Sequence, residues 1–290
     1  MKRFSVDIDI ITEETEEKVK EIISNIIRNQ NFFKRVEENI RINGANQRMR
    51  LQHYKFFFKS CLDNTEKYIL LDIAYEKNLY PVIIRKKIKS EKLNIESDTY
   101  VNIPSIESIL GDKLTVIAPN TTGISYDSNK ELEIIKQLYD VDKLFDEAEK
   151  IETIKESFIR IANREIKYRK LNISYLDVLK DIEKFAIEIV YLQNPEHMKI
   201  INSGIRKFSN YRVERKFLID REVLTASSKV LYLTKLLKRE TKKEINKFNS
   251  KNPMKVVSES KIQNKQHIKR LKVIRKINIE AYYYIAKSIE

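Results

Sequence analysis

The sequence predicts an α+β first half followed by an all-helical, basic second half, and three observations carry that assignment. Residues 3–11 alternate, with Phe4, Val6, Ile8 and Ile10 on one side and Ser5, Asp7 and Asp9 on the other. That is the period-2 pattern of a strand with one buried and one polar face. Beyond residue 150 strand signals give way to long 3.6-period segments over 151–169, 174–193, 222–248 and 264–289. Charge divides at the same place. Residues 1–150 hold 24 Lys and Arg against 26 Asp and Glu, whereas 151–290 hold 32 against 16. A coding bias toward lysine would raise both halves alike, so the asymmetry points to a polyanionic partner, nucleic acid before membrane. Two domains are expected, 1–150 and 151–290.

The elements follow in order. After the first strand, Thr12 is placed to cap a helix whose first turns carry Glu13, Glu14, Glu16 and Glu17, acids that the helix dipole favours there. Val19, Ile22, Ile23, Ile26 and Ile27 keep helical spacing to about Asn29. Asn43-Gly44 offers a turn. Strand-like runs follow at Met49–Ser60 and Tyr68–Tyr75, with a shorter one at Val82–Ile88. Pro104-Ser105 opens a helix through Ile117, interrupted at Gly111; residues 119–123 form a loop, and a second helix runs from about Asn129 to Lys150. Asn194-Pro195 and Lys251-Asn252-Pro253 end later helices.

Composition excludes several classes of function. Only 4 Gly and 5 Pro leave little room for irregular linkers. The single cysteine, Cys61, forms no internal disulfide, and no Cys/His cluster has zinc spacing. His53, His197 and His267 lie far apart and read as surface or packing residues. Met1-Lys2-Arg3 leads straight into the strand, so no signal peptide is expected. With no apolar run near ~18 residues, neither is a membrane span. A soluble, cytoplasmic protein is the expectation.

Asp7 and Asp9 stand at i and i+2 on one strand face, ~7 Å apart along the backbone, with no Lys or Arg between them. Hard oxygen ligands of this kind suit Mg²⁺ or Mn²⁺. Asp72 interrupts the apolar run Ile69-Leu70-Leu71-Asp72-Ile73, where a buried carboxylate needs a compensating cation. Should that strand lie beside the first, three carboxylates converge on the metal site. In the second half, basic clusters include Arg206-Lys207, Arg212 with Arg215-Lys216, Lys235 with Lys238-Arg239, and Lys265 through Lys269-Arg270 to Lys276. Tyr211, Tyr232 and Tyr282–Tyr284 lie among or near them and are candidates for stacking on unpaired bases.

The run Arg3-Phe4-Ser5-Val6-Asp7-Ile8-Asp9-Ile10 resembles the Arg-x-Ser-x-Asp-Ile-Asp signature of the AbiEii/AbiGii toxin family. Leu71-Asp72-Ile73, Leu110-Gly111-Asp112-Lys113-Leu114 and Lys136-Gln137-Leu138-Tyr139-Asp140 resemble its later motifs, in the same order. The resemblance covers roughly residues 3–146. It implies a polymerase-β-like nucleotidyltransferase fold with a mixed sheet and flanking helices, acting as the toxin of a bacterial toxin–antitoxin or abortive-infection system. Such an enzyme transfers NMP from an NTP to an RNA acceptor, the tRNA 3′ end, with Mg²⁺ or Mn²⁺, and has a cognate antitoxin. The resemblance further implies that Asp7, Asp9 and Asp72 hold metal, with Asp72 completing the site or serving as base. Lys113 and Asp140 join them as catalytic residues, Lys113 contacting the triphosphate and Asp140 positioning it. Ser5, Asn120, Thr121 and Thr122 are the further nucleotide-binding candidates. Arg206, Lys207, Arg212, Lys238, Arg239, Lys269 and Arg270 are candidates for holding RNA.

The sequence departs from the family pattern at three points. The Gly-Gly-Thr/Ser loop that precedes the Asp-x-Asp strand is not among the residues ahead of Arg3, so an N-terminally shortened domain is expected. Asn120 stands where many relatives have Arg, and Gln137 where many have Asp. Two other readings follow. One is an inactive relative that binds RNA or its antitoxin; the other is nucleotidyl transfer to a small molecule or a protein side chain.

Overall fold

The computed structural model describes residues 7–38, 51–90, 94–211, 219–239, 244–251, 262 and 264–289. Contacts divide the chain into two units, one spanning Phe4–Leu79 and the other built on Tyr80–Glu290. The sequence placed its change of character at residue 150. The helical core instead runs across that point, because the helix Ile106–Val116 packs on Ile151–Tyr168.

The first unit contains β1 (Asp7–Thr12), α1 (Glu16–Asn29), β2 (Phe33–Glu38), β3 (Leu51–Lys59) and β4 (Glu66–Tyr75). The sheet order is β1-β4-β3-β2, with β1 parallel to β4 and the other pairs antiparallel. Helix α1 covers one face: Val19 and Ile23 pack with Tyr54, Phe56 and Ile73. Its cap is Thr15, which accepts from Lys18 N at 3.3 Å. Thr12, the expected cap, ends the strand and accepts from Glu14 N at 3.1 Å. The apolar side of β1 was expected to be buried, yet Ile8 is 52% and Ile10 43% exposed. β1 is an edge strand, and the buried core under α1 draws on β3 and β4. Strand β2, FKRVEE, went unread because charge interrupts its alternation.

In the second unit β5 (Ile83–Ser90) and β6 (Ile95–Pro104) form a separate antiparallel ribbon. There follow α2 (Ile106–Val116), α3 (Glu131–Glu147), α4 (Ile151–Tyr168), α5 (Tyr175–Val190), α6 (Pro195–Phe208), α7 (Leu224–Lys238), α8 (Lys265–Ile277) and α9 (Ile279–Ile289). One continuous core joins Leu110 and Leu114 of α2 to Leu138 and Phe145 of α3, Phe158 of α4 and Phe185 of α5. Gly111 does not interrupt α2. It lets α4 approach so closely that an added Cβ would lie 2.5 Å from Ile154 O.

Three boundaries moved, each for a local reason. Asn194-Pro195 starts a helix as well as ending one, because Pro is tolerated at the first helical position and Asn194 caps α6 by accepting from His197 N at 3.3 Å. The segment expected as one helix over 264–289 breaks at Asn278, whose Oδ1 accepts from Ala281 N at 3.0 Å. The helix expected over 222–248 ends at Lys238, and residues 244–248 are not helical. Among the described residues no helix is long and apolar enough to cross a membrane.

Candidate active site

Parallel pairing of β1 with β4 sets Asp9 opposite Asp72 and Asp7 opposite Leu70. Side chains at i and i+2 share a face, so Asp7, Asp9 and Asp72 stand on the side of the sheet opposite α1. Strand β4 is interior, which meets the sequence condition that its strand lie beside the first. Asp7 and Asp9 are exposed and Asp72 is half-buried.

On the other side of β4, His53 of β3 is the register partner of Asp72, and its Nδ1 lies 2.8 Å from Asp72 Oδ1. The tautomer protonated at Nδ1 donates to the carboxylate there. Asp9, Asp72 and His53 therefore form one transverse row across three strands. The sequence reading of His53 as a packing residue missed this, since its partner is cross-strand and 19 residues away. His53 is also buried.

The donor chemistry of this face fits a hard divalent cation that takes one or two carboxylates and completes its shell with water and phosphate oxygens. It does not make a complete protein cage. Among the described residues no group of three or more His, Cys, Asp or Glu side chains is placed to hold a metal ion. The expected convergence of three carboxylates is thus a shared face, not a closed ligand set, and Asp72 is engaged by His53.

Lys113 and Asp140 belong to the second unit. Lys113 Nζ, in the last turn of α2, lies 3.8 Å from Asp140 Oδ2 on α3. The Asp140 side chain is 1% exposed, and a buried carboxylate of this kind requires a cation beside it. The neighbouring Asp112 has a separate partner, the Tyr80 hydroxyl, which donates at 2.6 Å. One turn before Asp140, Gln137 Oε1 is buried with no hydrogen-bond partner among the described residues, an acceptor that a ligand donor would satisfy.

The loop after α2 is anchored inward. Asn120 donates to Asp181 from its backbone N at 2.8 Å and from Nδ2 at 2.6 Å, and Thr121 Oγ1 donates to the same carboxylate at 2.9 Å. Thr122 Oγ1 donates to Thr115 O at 2.8 Å and is buried. These groups, expected to bind nucleotide, tie the loop to α2 and α5. Asp181 carried no sequence signal because its partners lie about 60 residues upstream.

The basic candidates separate into paired and unpaired ones. Lys207 bonds Glu131 at 2.6 Å, Lys235 bonds Glu183 at 2.6 Å, and Lys238 bonds the same Glu183. Arg239 gives its carbonyl to Lys155, and Arg270 Nε donates to Val190 O at 3.3 Å. Arg206 and Lys269 are exposed. Ser5 and Arg212 lie outside the described residues. Of the tyrosines expected to stack on bases, three are core residues, Tyr283 is half-buried, and the side chain of Tyr211 lies outside those described. Tyr232, Tyr282 and Tyr284 are buried, and the hydroxyls of Tyr232 and Tyr284 accept from Asn246 N at 3.1 Å and Phe248 N at 3.0 Å.

One cluster went unread. Lys229 of α7, 3% exposed, bonds Asp142 at 2.7 Å and Asp146 at 2.6 Å, with Glu280 at 3.4 Å. These side chains line a cleft of about 400 Å³ with Lys143, Arg221 and Asn278. Burial by itself would lower the Lys229 pKa, but the paired carboxylates Asp142 and Asp146 outweigh it and raise the value above the usual lysine range.

Compared with known proteins, residues 1–218 match the model of the nucleotidyl transferase AbiEii toxin family, type IV toxin–antitoxin system. No curated protein matches. Among solved structures, the chain is similar to JHP933 from Helicobacter pylori at 14% identity and a TM-score of 0.40, over 81% of this chain and 76% of that one. A second H. pylori structure, described as a candidate nucleotidyltransferase, gives 13% identity and a TM-score of 0.40 over 81% and 78%.

Proposed function

We propose, from the premise that the chain belongs to the AbiEii family of nucleotidyltransferase toxins, that it transfers a nucleoside monophosphate from an NTP to an RNA hydroxyl, the tRNA 3′ end. The observation that carries this reading is the register of Asp9 with Asp72, with Asp7 on the same face. In the proposed site Asp7 and Asp9 hold Mg²⁺, or Mn²⁺ in its place. The bound ion supplies neutralisation of the triphosphate and activation of the attacking hydroxyl. Asp72 completes the ion's protein ligands or accepts the hydroxyl proton, and His53 orients that carboxylate by holding Oδ1. Within the second unit, the likeness of its motif to the family's assigns Lys113 to the triphosphate as a compact point charge, with Asp140 3.8 Å from it. The excess of basic residues after residue 150 supports a polyanionic acceptor over a small molecule.

Incubation with labelled NTP and tRNA is expected to label the RNA in the presence of Mg²⁺ and not in EDTA. Asp7→Ala and Asp9→Ala are expected to abolish labelling. The incomplete ligand set favours a second reading, an inactive relative that binds RNA or its antitoxin. That reading requires RNA affinity untouched by Asp9→Ala and no NTP-dependent labelling; labelling by the wild type excludes it.

A further inference from the structure

Helix α8 carries six basic residues and no acid between Lys265 and Ile277. Lys265, Lys269, Lys272 and Lys276 recur at i, i+4, i+7 and i+11 and are all exposed, so they form one row with neighbours about 5–6 Å apart. Arg275 stands exposed beside it. The structure separates this row from the other basic clusters. Lys207, Lys235, Lys238 and Lys229 are each matched by a carboxylate. Lys265, Lys269, Arg275 and Lys276 form no ion pair among the described residues. The nearest acid along the chain, Glu280, is turned to Lys229.

The opposite side of α8 is spent on the core, with Leu271 and Ile274 buried against Val190, Leu224 and Tyr282. His267 stacks on Tyr191 with ring centres 3.8 Å apart, and Arg270 Nε donates to Val190 O. Like charges at i and i+4 repel, and Lys265, Lys269, Arg275 and Lys276 raise a positive potential on this side of α8 that no described carboxylate pairs.

We infer that the α8 lysine row is a docking surface for the sugar-phosphate backbone of RNA. It reads charge and not sequence, because the nearby Tyr282 and Tyr284 are buried and unable to stack on bases. A membrane surface fits less well, since Leu271 and Ile274 are packed inside and the exposed Val273 and Ile277 make too small an apolar face to enter lipid. Helix α8 lies beyond the residues matched by the family model. The inference rests on the proposed RNA reading only for the identity of the polyanion.

The test is titration of fluorescent unfractionated tRNA with the full chain between 50 and 200 mM KCl, alongside Mg²⁺-dependent nucleotide transfer. Lys265→Gln, Lys269→Gln, Lys272→Gln and Lys276→Gln are combined; Gln keeps helix propensity close to that of Lys. A control combines Lys18→Gln, Lys20→Gln, Lys180→Gln and Lys199→Gln, exposed lysines that remove the same charge elsewhere. Removing four phosphate contacts is expected to reduce the slope of log affinity against log salt by about 3. Affinity at low salt is expected to fall at least tenfold, with the control near wild type. A wild-type slope in the α8 variant overturns the inference, as does equal loss in the control, or binding of the wild type to anionic vesicles but not RNA. Transfer by the wild type with an unchanged slope in the α8 variant removes the inference and keeps the enzymatic reading. Loss of slope without any transfer does the reverse.

Discussion

His53 and Asp72 meet across the β3–β4 pair with Nδ1 and Oδ1 2.8 Å apart, on the side of β4 away from Asp9. The imidazole fixes one oxygen of a carboxylate that stands on the face shared with Asp7 and Asp9. Groups that orient a metal ligand typically contribute ~10–100-fold to affinity or activity. His53→Phe is therefore expected to lower transfer by that factor and to raise the Mg²⁺ concentration needed for half-maximal rate. His53→Gln, which retains an amide donor, is expected to recover part of both. An unchanged Mg²⁺ dependence in His53→Phe would remove His53 from the site.

Asp7, Asp9 and Asp72 place like charge on one sheet face, and like charges opposite one another across a strand pair are destabilising. Without metal, Asp9→Asn is expected to match or exceed the wild type in urea denaturation. Mg²⁺ at tenfold its dissociation constant is expected to stabilise the wild type by ~1.4 kcal/mol and the variant by clearly less. Equal stabilisation of both places the ion elsewhere.

Removing Lys113 takes away the cation that lies 3.8 Å from the buried Asp140 carboxylate. Lys113→Met is expected to cost about 1–3 kcal/mol, with part recovered in the Lys113→Met/Asp140→Asn double variant. The coupling in that cycle is read from urea midpoints. Additive effects would show that the 3.8 Å contact carries no energy.

The Asp181 carboxylate accepts three hydrogen bonds from Asn120 and Thr121, and bonds to a charged group contribute ~1.5–3 kcal/mol each. Asp181→Ala is expected to lose about 3 kcal/mol of stability with KM for NTP unchanged well below the melting temperature. A raised KM in a variant of wild-type stability would return Asn120 and Thr121 to the nucleotide.

Lys229→Met removes the buried cation shared by Asp142 and Asp146, leaving Asp142 its more exposed partner Lys143 at 2.8 Å, and breaking a buried pair costs about 3–5 kcal/mol. The Lys229 pKa is raised in the folded protein above its usual 10.5. Its contribution is therefore fully present below pH 10.5 and is lost as pH rises through the folded value. Stability of the wild type measured against pH is expected to fall through that alkaline range, and Lys229→Met to lack that component.

Much of the fold was legible from local pattern. The alternation around Asp7 and Asp9, the 3.6 period of α3 to α5 and the Ser105 cap of α2 each report a single element. What stayed hidden depends on partners distant in sequence. His53 looked isolated because Asp72 faces it only once β3 and β4 pair. Asn120 and Thr121 looked like ligand-binding polar residues because nothing local shows Asp181 reaching them, and Thr122 because its partner is a backbone carbonyl of α2. Tyr232, Tyr282 and Tyr284 sit among lysines in sequence, but the helical period turns them inward. Ile8 and Ile10 mislead in the opposite sense, since alternation shows which residues share a face and not whether anything covers it.

The central claim is that the face carrying Asp7, Asp9 and Asp72 is where nucleotide transfer occurs. The most direct measurement is Mg²⁺-dependent transfer from α-³²P-labelled NTP to tRNA by the wild type and by Asp9→Asn, with both shown to be folded to the same extent. Labelling by the wild type and a loss of at least ~10³-fold in Asp9→Asn, the order seen when a single transition-state contact is removed, is the predicted result. Labelling by Asp9→Asn at the wild-type rate would contradict the assignment.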